Sequence, residues 1–338
     1  MMDLLIKYSQ KKEFKETLNI PENEELSFSL LAQGEYNMNY QFTHPVTGKK
    51  LLLRINTGSQ MHLDHQIEYE YQALKQLESS GRTPQVYYVD GSKRDVPYGI
   101  LVMEYLPGVV MDYERDLFKG AEILADIHAI PVSADSGLIH SENPCQEILD
   151  ECNQMFKTYE ESELADQNKR IQIRRMLDLC QKKLSTMGDT RGNYEDYRCC
   201  INTELNSTNF LINPEETSYL IDWEKPLFGD PGQDLGHFLA PTTTFWKTDV
   251  ILSEEETEEF IKYYVTCVDG RFSTEGLAKR VETFIPVTCM RGLTWCAMAW
   301  VEYQEPGRTI RNESTWKKLN AYLEHSFIDM IERRIEKM

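Results

Sequence analysis

The sequence predicts an α+β protein of two lobes, with a β-rich N-terminal lobe over residues 1–105 and a mostly helical C-terminal lobe over residues 106–338. Short alternating or apolar runs dominate residues 26–105, and helical spacing dominates after residue 108. The length of 338 residues exceeds what one small core organises, and a hydrophobic content of 41% is enough for substantial cores. These observations together favour a bilobal globular protein.

The N-terminal lobe is predicted to begin with three strands, because its first apolar runs are short and separated by turn chemistry such as HPVTGKK. A helix is expected over residues 60–79, where apolar residues recur at helical spacing. Two further strands follow, joined by the polar turn GSKRDVP. The five predicted strands are LSFSLLA (26–32), YNMNYQF (36–42), KLLLRIN (50–56), QVYYVD (85–90) and YGILVMEY (98–105).

The C-terminal lobe is predicted to be helical except for one short β-rich region. Helices are expected from LFKGAEILADIHAI (117–130) and across two long segments between residues 145 and 187. Strands are expected only at YRCCI, NFLI and SYLID before helices resume. Ser253 with Glu256 forms a capping-box pattern, which places a helix start at EEETEEFIKYY.

The chain is strongly acidic, with 36 basic and 55 acidic side chains and a formal net charge of −19. Sequence-independent binding to nucleic acid or to an anionic membrane needs clustered Lys and Arg, so neither is expected as a partner. The charge fits a cationic or neutral partner. It equally fits an acidic protein whose charge serves solubility alone.

Cysteine usage and the N-terminal residues predict a cytoplasmic protein. The eight cysteines include no CxxC and no Cys/His spacing that would hold zinc, so we expect free thiols in a reducing compartment. The first residues, MMDLLIKYSQKKEF, lack the apolar region of a signal peptide. No uninterrupted apolar run approaches the ~18 residues that a membrane span needs.

A pair of carboxylates at the end of an apolar strand carries the strongest chemical signal. In SYLIDWEKPLFGDPGQDLGHF, Asp222 and Glu224 stand two residues apart, and Asn209 offers an amide oxygen thirteen residues upstream of Asp222. Mg²⁺ prefers oxygen ligands and keeps phosphate oxygens and waters in its shell. These three residues therefore predict a magnesium site that serves a nucleoside triphosphate. Taken singly, an Asp at a strand end or an Asn in a turn is more often structural.

Glu204 is the candidate base, because it is the only ionisable side chain in the loop NTELNSTN, which joins the predicted strands YRCCI and NFLI. A carboxylate at this position could accept or orient the proton of an attacking hydroxyl group. The alternative is a structural acid that faces solvent.

On these motifs the chain resembles the aminoglycoside phosphotransferase and choline kinase superfamily, small-molecule kinases with a protein-kinase-like fold. That family carries a loop HxDxxxxN and a metal motif IDWE or IDxD followed by GDPxxDLA. The second motif is present as IDWEKPLFGDPGQDLG, with Asp230 and Asp234 in its second half. The resemblance implies that Asp234 ties down the catalytic loop and that Asp230 caps a turn.

The same resemblance assigns the nucleotide site. LLLRIN is similar to the strand that brings a cation to the phosphates, which would be Arg54, and Glu70 in EYEYQALKQL is similar to its helical partner. ILVMEYLPG looks like the hinge, so the backbone of Met103, Glu104 and Tyr105 is expected to bind the edge of adenine or guanine. EILADIHAIP is similar to the LxxLHxxP helix, in which His128 is expected to be a buried packing residue.

The sequence departs from the family at three positions of the catalytic loop and the cation-bearing strand. Asn202 replaces the loop His, Glu204 replaces the loop Asp, and Arg54 replaces the usual Lys. Asn can still brace the loop, since it donates and accepts hydrogen bonds. Glu keeps the charge but moves it by one methylene, and a misplacement of ~1 Å can cost about a hundredfold in rate. Arg is a bidentate cation, so its exchange for Lys is not neutral.

Aromatic residues near the C-terminus have two interpretations. Trp295, Met298, Trp300 and Tyr303 stand at partly helical spacing. In choline kinases an aromatic box holds a quaternary ammonium by cation–π contacts, and these residues could form one. Packing within a core helix explains the same pattern.

The sequence thus predicts a kinase that uses Mg²⁺ and ATP or GTP to phosphorylate a hydroxyl group of a small acceptor. The acidic charge favours an amine-bearing acceptor such as an aminoglycoside or amino alcohol, with a sugar or nucleoside as alternatives. Because Asn202 and Glu204 depart from the family, a pseudokinase-like module that binds nucleotide without catalysis is the alternative from another class. A nucleotidyl transferase, which would release pyrophosphate, is a third possibility.

Overall fold

A computed structural model describes residues 1–187, 197–305 and 312–338 of the chain. The chain opens with two short helices that the sequence analysis did not predict, α1 (Met2–Ser9) and α2 (Lys12–Thr17). Leu5 and Phe14 are fully buried, and the Phe14 ring lies 5.1 Å from Tyr88 at an edge-on angle. These helices therefore pack on the N-terminal sheet and share one hydrophobic core with it.

The N-terminal lobe is a five-stranded antiparallel sheet in the order β1-β2-β3-β5-β4. All five predicted strands are present, and β1 begins three residues later than predicted because Leu26 and Phe28 pack into the core ahead of the sheet. The strands are β1 (Ser29–Gln33), β2 (Asn37–Thr43), β3 (Lys50–Asn56), β4 (Val86–Asp90) and β5 (Gly99–Glu104).

One helix, α3 (Gln66–Leu77), crosses the sheet between β3 and β4. The helix predicted over residues 60–79 was too long at its N-terminus, since residues 60–65 form turns, and it ends in a short 3₁₀ turn at Glu78–Ser80. Its buried face carries Ile67, Leu74 and Leu77, together with Glu70. The apolar spacing therefore identified the correct face but not the start.

The C-terminal lobe is mainly helical, as predicted. Its first helix begins at Tyr113, four residues earlier than predicted, because the Asp112 side chain caps it by accepting from the Glu114 N–H. The predicted capping box at Ser253 and Glu256 is present with both hydrogen bonds. The helices are α4 (Tyr113–His128), α5 (Pro144–Glu161), α6 (Gln167–Met187), α7 (Pro231–Leu239), α8 (Pro241–Lys247), α9 (Glu254–Val268), α10 (Leu277–Glu302), α11 (Glu313–Tyr322) and α12 (His325–Lys337).

Two small antiparallel ladders interrupt these helices and position the candidate site. β7 (Cys199–Ile201) pairs with β10 (Leu227–Gly229), and β8 (Phe210–Ile212) pairs with both β6 (Val109–Val110) and β9 (Tyr219–Leu220). The predicted catalytic loop lies between β7 and β8 and carries Glu204 and Asn209. The predicted metal loop lies between β9 and β10 and carries Asp222 and Glu224, so the two ladders bring both loops to the same end of the lobe.

The 26-residue helix α10 is the longest helix of the described chain, and it packs against α5 and α7. By length and mean hydropathy alone it could cross a membrane, but 67% of its most apolar window is buried inside the protein. That burial is typical of a core helix. All eight cysteines are free, and seven of them are buried.

Candidate active site

The predicted ion pair between Arg54 and Glu70 is present at the centre of the N-terminal lobe. Arg54 Nη1 lies 2.5 Å from Glu70 Oε1, and the two side chains are 8% and 1% exposed. Strand β3 delivers Arg54 and helix α3 delivers Glu70, while Asn39 on β2 accepts from Arg54 Nε at 3.0 Å. The second carboxylate oxygen of Glu70 is buried without a hydrogen-bond partner in the described residues.

Arg54 also reaches the predicted metal residues of the C-terminal lobe. Its Nη2 lies 3.4 Å from Asp222 Oδ1, and its Nη1 lies 4.0 Å from Glu224 Oε1. Burial works against the charge of Arg54, but the three carboxylates outweigh burial and raise its pKa. One guanidinium thus faces three carboxylates, which leaves the cleft with an excess of negative charge.

This excess of negative charge affects the pKa of Glu224. Burial, and after it the charge of Asp222, raise the pKa of Glu224 to about 8, although Arg54 opposes the shift. Asn37 on β2 donates from its side-chain amide to Glu224 Oε1, and Gln66 Nε2 on α3 donates to the Glu224 carbonyl oxygen at 2.8 Å. Sequence reasoning missed Asn37 and Gln66, since they lie 187 and 158 residues from Glu224 along the chain.

The residues around Asp222 fit a divalent cation. Asp222 has a positive φ of 67°, which turns it out of the strand that precedes it. A cation beside Asp222 and Glu224 would offset the charge that raises the Glu224 pKa. Asn209 donates from Nδ2 to the Glu204 carbonyl oxygen at 2.8 Å, so its amide oxygen remains as the ligand atom. Within the described residues no three His, Cys, Asp or Glu side chains could hold a metal, so Asn209 and phosphate oxygens would have to complete the shell.

Asn202 braces the catalytic loop in the way that the sequence predicted for it. Its Nδ2 donates to the Asp222 carbonyl oxygen at 2.9 Å, and its Oδ1 accepts from the Glu204 N–H at 3.0 Å. One side chain therefore joins the start of the loop to the end of the strand that precedes the metal residues. The next residue, Thr203, has a φ of 68°, so the chain turns sharply just before Glu204.

Helix α7 holds the same loop from the other side, and this confirms the structural roles predicted for Asp230 and Asp234. Asp234 is fully buried and accepts from the backbone N–H groups of Asn202 at 2.7 Å and Thr203 at 2.8 Å. Asp230 caps α7 through the Gly232 N–H and pairs with Arg280 at 2.6 Å.

Asp234 also contacts His128, whose Nε2 lies 3.2 Å from Asp234 Oδ2. His128 is fully buried, and its Nδ1 lies 2.8 Å from the Tyr264 hydroxyl. The prediction that His128 is a buried, hydrogen-bonded packing residue is confirmed.

Glu204, the candidate base, forms an ion pair with Lys225 at 3.0 Å. The Thr203 hydroxyl donates to the Lys225 carbonyl oxygen at 2.8 Å, so the catalytic loop and the metal loop contact each other directly. Sequence reasoning missed Lys225, although it directly follows Glu224. Its position next to Glu224 places it near the cleft but does not pair it with Glu204, because the two side chains come from different loops.

At the hinge, the structure places the predicted residues at the end of β5. The backbone N–H of Glu104 donates to Gln85 O at 2.8 Å, and that of Tyr105 donates to Lys50 O at 3.3 Å. These two donors serve the sheet, so a purine edge would have to use the hinge carbonyl groups and the N–H of the following residue, Leu106. The sequence analysis did not include Leu106.

A cavity of about 420 Å³ opens beside Glu204 and Lys225, and Glu35 and Gln60 of the N-terminal lobe also line it. A smaller cavity of about 230 Å³ shares several of its walls. Residues common to both walls are Gln60, Glu151, Lys225, His237, Thr288 and Arg291. Arg291 Nε pairs with Glu151 Oε2 at 2.9 Å, and Lys225 pairs with Glu204 at 3.0 Å. Both cationic side chains of the shared wall therefore have a carboxylate partner.

The three aromatic residues of the predicted box, Trp295, Trp300 and Tyr303, do not converge on one point. Trp295 lines the larger cavity and meets Trp246 of α8 edge-on, with ring centroids 5.2 Å apart. Trp300 and Tyr303 instead stack on Trp316 of α11. Trp300 lies five positions after Trp295, which turns it by about 140° around the helix axis. Tyr303 lies at the C-cap, where α10 ends.

This lobe arrangement, with a cation–carboxylate pair over a metal loop and a separate cavity beside the catalytic loop, is the fold of small-molecule kinases. Solved structures of small-molecule kinases share the fold. The choline kinase of Cryptosporidium parvum matches with a TM-score of 0.64 at 15% identity, over 99% of this chain and 98% of that one. The ethanolamine kinase of Plasmodium vivax has a TM-score of 0.60 at 15% identity, over 96% and 88%. A spectinomycin phosphotransferase bound to ADP and spectinomycin has a TM-score of 0.60 at 14% identity, over 93% and 94%.

The sequence profile of the phosphotransferase enzyme family matches residues 27–270, so the chain belongs to this family. The predicted family resemblance, the bilobal kinase-like fold and the prediction of a phosphotransferase are thereby confirmed. No curated protein sequence matches the chain.

Proposed function

We propose that this protein transfers the γ-phosphoryl group of ATP or GTP to a hydroxyl group of a small acceptor. Amine-bearing molecules such as aminoglycosides and amino alcohols are the first candidates, and sugars or nucleosides are the next. The observation that carries the proposal is the meeting of Arg54, Asp222 and Glu224 at one cleft, next to a cavity that Glu204 lines. The choline, ethanolamine and spectinomycin kinases with the same fold support an acceptor of this size.

In the proposed reaction, an acceptor oxygen attacks the γ-phosphorus and the bond from that phosphorus to the β-phosphate oxygen breaks. The nucleoside diphosphate leaves, and the hydroxyl proton passes to the Glu204 carboxylate. Lys225 holds that carboxylate in place at 3.0 Å. Arg54, steadied by Glu70, would turn from Asp222 towards the α- and β-phosphates. Mg²⁺ held by Asn209, Asp222 and Glu224 would neutralise phosphate charge.

The second candidate function is a binding module that holds nucleotide without catalysis. It is favoured by the Glu204–Lys225 ion pair, because a carboxylate matched by a cation in the resting state is less available as a base. It is also favoured by the exchange of the family His and Asp for Asn202 and Glu204.

Release of ADP or GDP by the purified protein tests the proposal, with Mg²⁺, each triphosphate and a panel of kanamycin, spectinomycin, choline, ethanolamine, glucose and adenosine. We expect acceptor-dependent release that falls about a hundredfold or more in Glu204→Ala, since a positioned base contributes that much. Asp222→Ala should lose release altogether. The matched control Glu204→Asp restores the family residue and should remain active.

Three other outcomes would each mean something different. The binding module is supported if neither the wild type nor the Asn202→His/Glu204→Asp variant releases diphosphate. Nucleotide binding should then persist in Glu204→Ala and weaken in Asp222→Ala. Release of pyrophosphate instead of diphosphate supports nucleotidyl transfer. Turnover that survives in Glu204→Ala removes Glu204 from the mechanism.

A lobe boundary between residues 105 and 106, a cytoplasmic location, and the lack of a nucleic-acid or membrane partner stay predictions. Resistance of the host to an antibiotic is a separate biological question, because a shared fold does not fix an acceptor.

A further inference from the structure

His237 is a cavity-lining residue that the proposed reaction does not use. It lies on α7 three residues after Asp234, so both side chains leave the same face of the helix. Asp234 holds the N–H groups of Asn202 and Thr203, and His237 Nδ1 lies 3.1 Å from the N–H of Leu205. The two α7 side chains therefore brace the loop on either side of Glu204.

The bond to Leu205 fixes the position of the ring proton. A backbone N–H can only donate, so Nδ1 of His237 accepts and carries no proton. The proton of the neutral ring must then be on Nε2. Burial, and after it the charge of Arg291, lower the pKa of His237 to about 3, although Asp234 opposes the shift. The ring is therefore a neutral donor through Nε2 at physiological pH.

The hydrogen bond to the loop uses Nδ1 of His237 and not Nε2. His237 lines both cavities beside Glu204, and within the described residues we find no hydrogen bond that involves Nε2. The two charged pairs on the same wall, Glu204–Lys225 and Glu151–Arg291, are already matched internally. A neutral N–H donor suits an atom with a lone pair, such as a hydroxyl or ether oxygen. It does not suit an ammonium group, which can only donate.

We propose that His237 is an acceptor-binding residue whose Nε2–H donates a hydrogen bond to a hydroxyl or ether oxygen of the acceptor. The inference rests on the proposed function, since it assigns one contact in the acceptor cavity of that reaction. It means that the acceptor carries an oxygen near the hydroxyl that is phosphorylated, and that this oxygen is part of what the enzyme selects.

Two matched substitutions separate this role from loop bracing. His237→Asn can place Oδ1 where Nδ1 stands, so it keeps the bond to Leu205 and removes the donor in the cavity. His237→Gln reaches as far as Nε2, so it keeps a donor in the cavity and gives up the acceptor for Leu205. We expect His237→Asn to raise the KM for the acceptor about tenfold or more, since a buried donor contact of this kind is worth that factor.

The measurement uses the panel member that the wild type turns over best, together with its deoxy analogues. At about pH 7.5, above the unfolded-state pKa of His, thermal unfolding and the Kd for Mg–ADP should be unchanged in His237→Asn. His237→Gln should keep an acceptor KM closer to the wild type while losing thermal stability. Removal of the partner oxygen from the acceptor should weaken the wild type as much as His237→Asn and add nothing further in that variant.

The outcomes that overturn the inference are distinct from those that overturn the proposed function. An acceptor KM within twofold of the wild type in His237→Asn, while the wild type is active, overturns only the role of His237. Weaker Mg–ADP binding or lost thermal stability in His237→Asn would make it a structural residue and also overturn the inference. Silence of the wild type with every panel member overturns the proposed function and the inference with it.

Discussion

At the scale of single residues, Arg54 is the cation of the candidate site that faces three carboxylates. It is 8% exposed and faces Glu70 at 2.5 Å, Asp222 at 3.4 Å and Glu224 at 4.0 Å. A buried ion pair of this kind adds little stability by itself, because desolvation offsets attraction. Its loss is costly for a different reason, since the carboxylates that remain have no counter-charge.

Arg54→Met is therefore expected to lower the free energy of unfolding by about 3–5 kcal/mol, because Glu70 would be left buried and unpaired. Urea denaturation of the two proteins measures this difference. The double variant Arg54→Met/Glu70→Leu is the control, and it should recover most of the loss by removing the uncompensated charge. A loss below about 1 kcal/mol in the single variant would contradict the buried-pair assignment.

The lowered pKa of His237 gives a prediction for stability against pH. An unfolded His titrates near 6.5 and the folded one at about 3, so the unfolded chain binds more protons between these values. This contribution to stability is fully present above pH 6.5 and is lost as the pH falls from 6.5 towards 3.

We expect thermal unfolding to show that the wild type loses more stability than His237→Asn between pH 7 and pH 4.5, since Asn does not titrate. Lys225, Arg291 and Asp234 face this ring and remain in both proteins, so the comparison isolates His237. Parallel pH curves for the two proteins would show that folding does not change the pKa of His237, and would contradict this prediction.

At the scale of elements, helix α7 determines where the catalytic loop stands. It crosses α10 at Gly236, and a Cβ atom built at Gly236 would lie 2.4 Å from the Cβ atom of Phe284 and 3.1 Å from the Phe284 carbonyl carbon. The family motif GDPxxDLA has Ala at this position, but this chain has GDPGQDLG. The close crossing explains the Gly, because two backbones approach where no side chain fits.

Gly236→Ala is expected to destabilise the protein by about 1–3 kcal/mol, as overpacked core substitutions do. It should also lower kcat, because Asp234 and His237 would move with α7 and shift the loop that they hold. Thermal unfolding and the diphosphate-release assay measure the two effects. Gly270→Ala serves as a control for a general Gly effect, since its Cβ atom would meet nothing within 4 Å although its φ of 72° makes it strained. Full kcat in Gly236→Ala would show that the crossing does not position the loop.

At the scale of the whole molecule, the N-terminal lobe holds the metal loop of the C-terminal lobe. Asn37 contacts the Glu224 carboxylate, Gln66 contacts the Glu224 carbonyl oxygen at 2.8 Å, and Tyr69 donates to the Pro226 carbonyl oxygen at 2.6 Å. Helix α3 therefore supplies both the partner of Arg54 and two contacts to the loop that would bind Mg²⁺. Nucleotide and metal should accordingly stabilise both lobes together.

We expect Mg–ADP at a hundred times its Kd to raise the free energy of unfolding by about 2.7 kcal/mol. Removal of Mg²⁺ with a chelator, or the variant Asp222→Ala, should abolish most of this gain because the phosphates would then face Asp222 and Glu224 without a cation. Glu204→Ala is the matched control and should keep the gain, since Glu204 lies on the acceptor side. An equal gain with and without Mg²⁺ would argue against a metal held by Asp222.

The sequence by itself determined the parts of this protein that depend on neighbours along the chain. Apolar spacing predicted the five strands of the N-terminal sheet and the buried face of α3, but it missed β6 and β10 of the C-terminal lobe. The continuous motif IDWEKPLFGDPGQDLG identified the carboxylates and the brace Asp234, because such motifs fold within one loop and the helix after it. Motif order also paired Arg54 with Glu70, which are 16 residues apart.

Only the tertiary structure decided the rest. The contacts of Asn37 with Glu224, of Lys225 with Glu204 and of His237 with Leu205 join different elements, so no local pattern encodes them. The same holds for the aromatic residues of α10, of which the cavity takes Trp295 and the α11 interface takes Trp300 and Tyr303. Local propensity and spacing choose the element and its face, whereas the packing of whole elements chooses which side chains meet in the cleft.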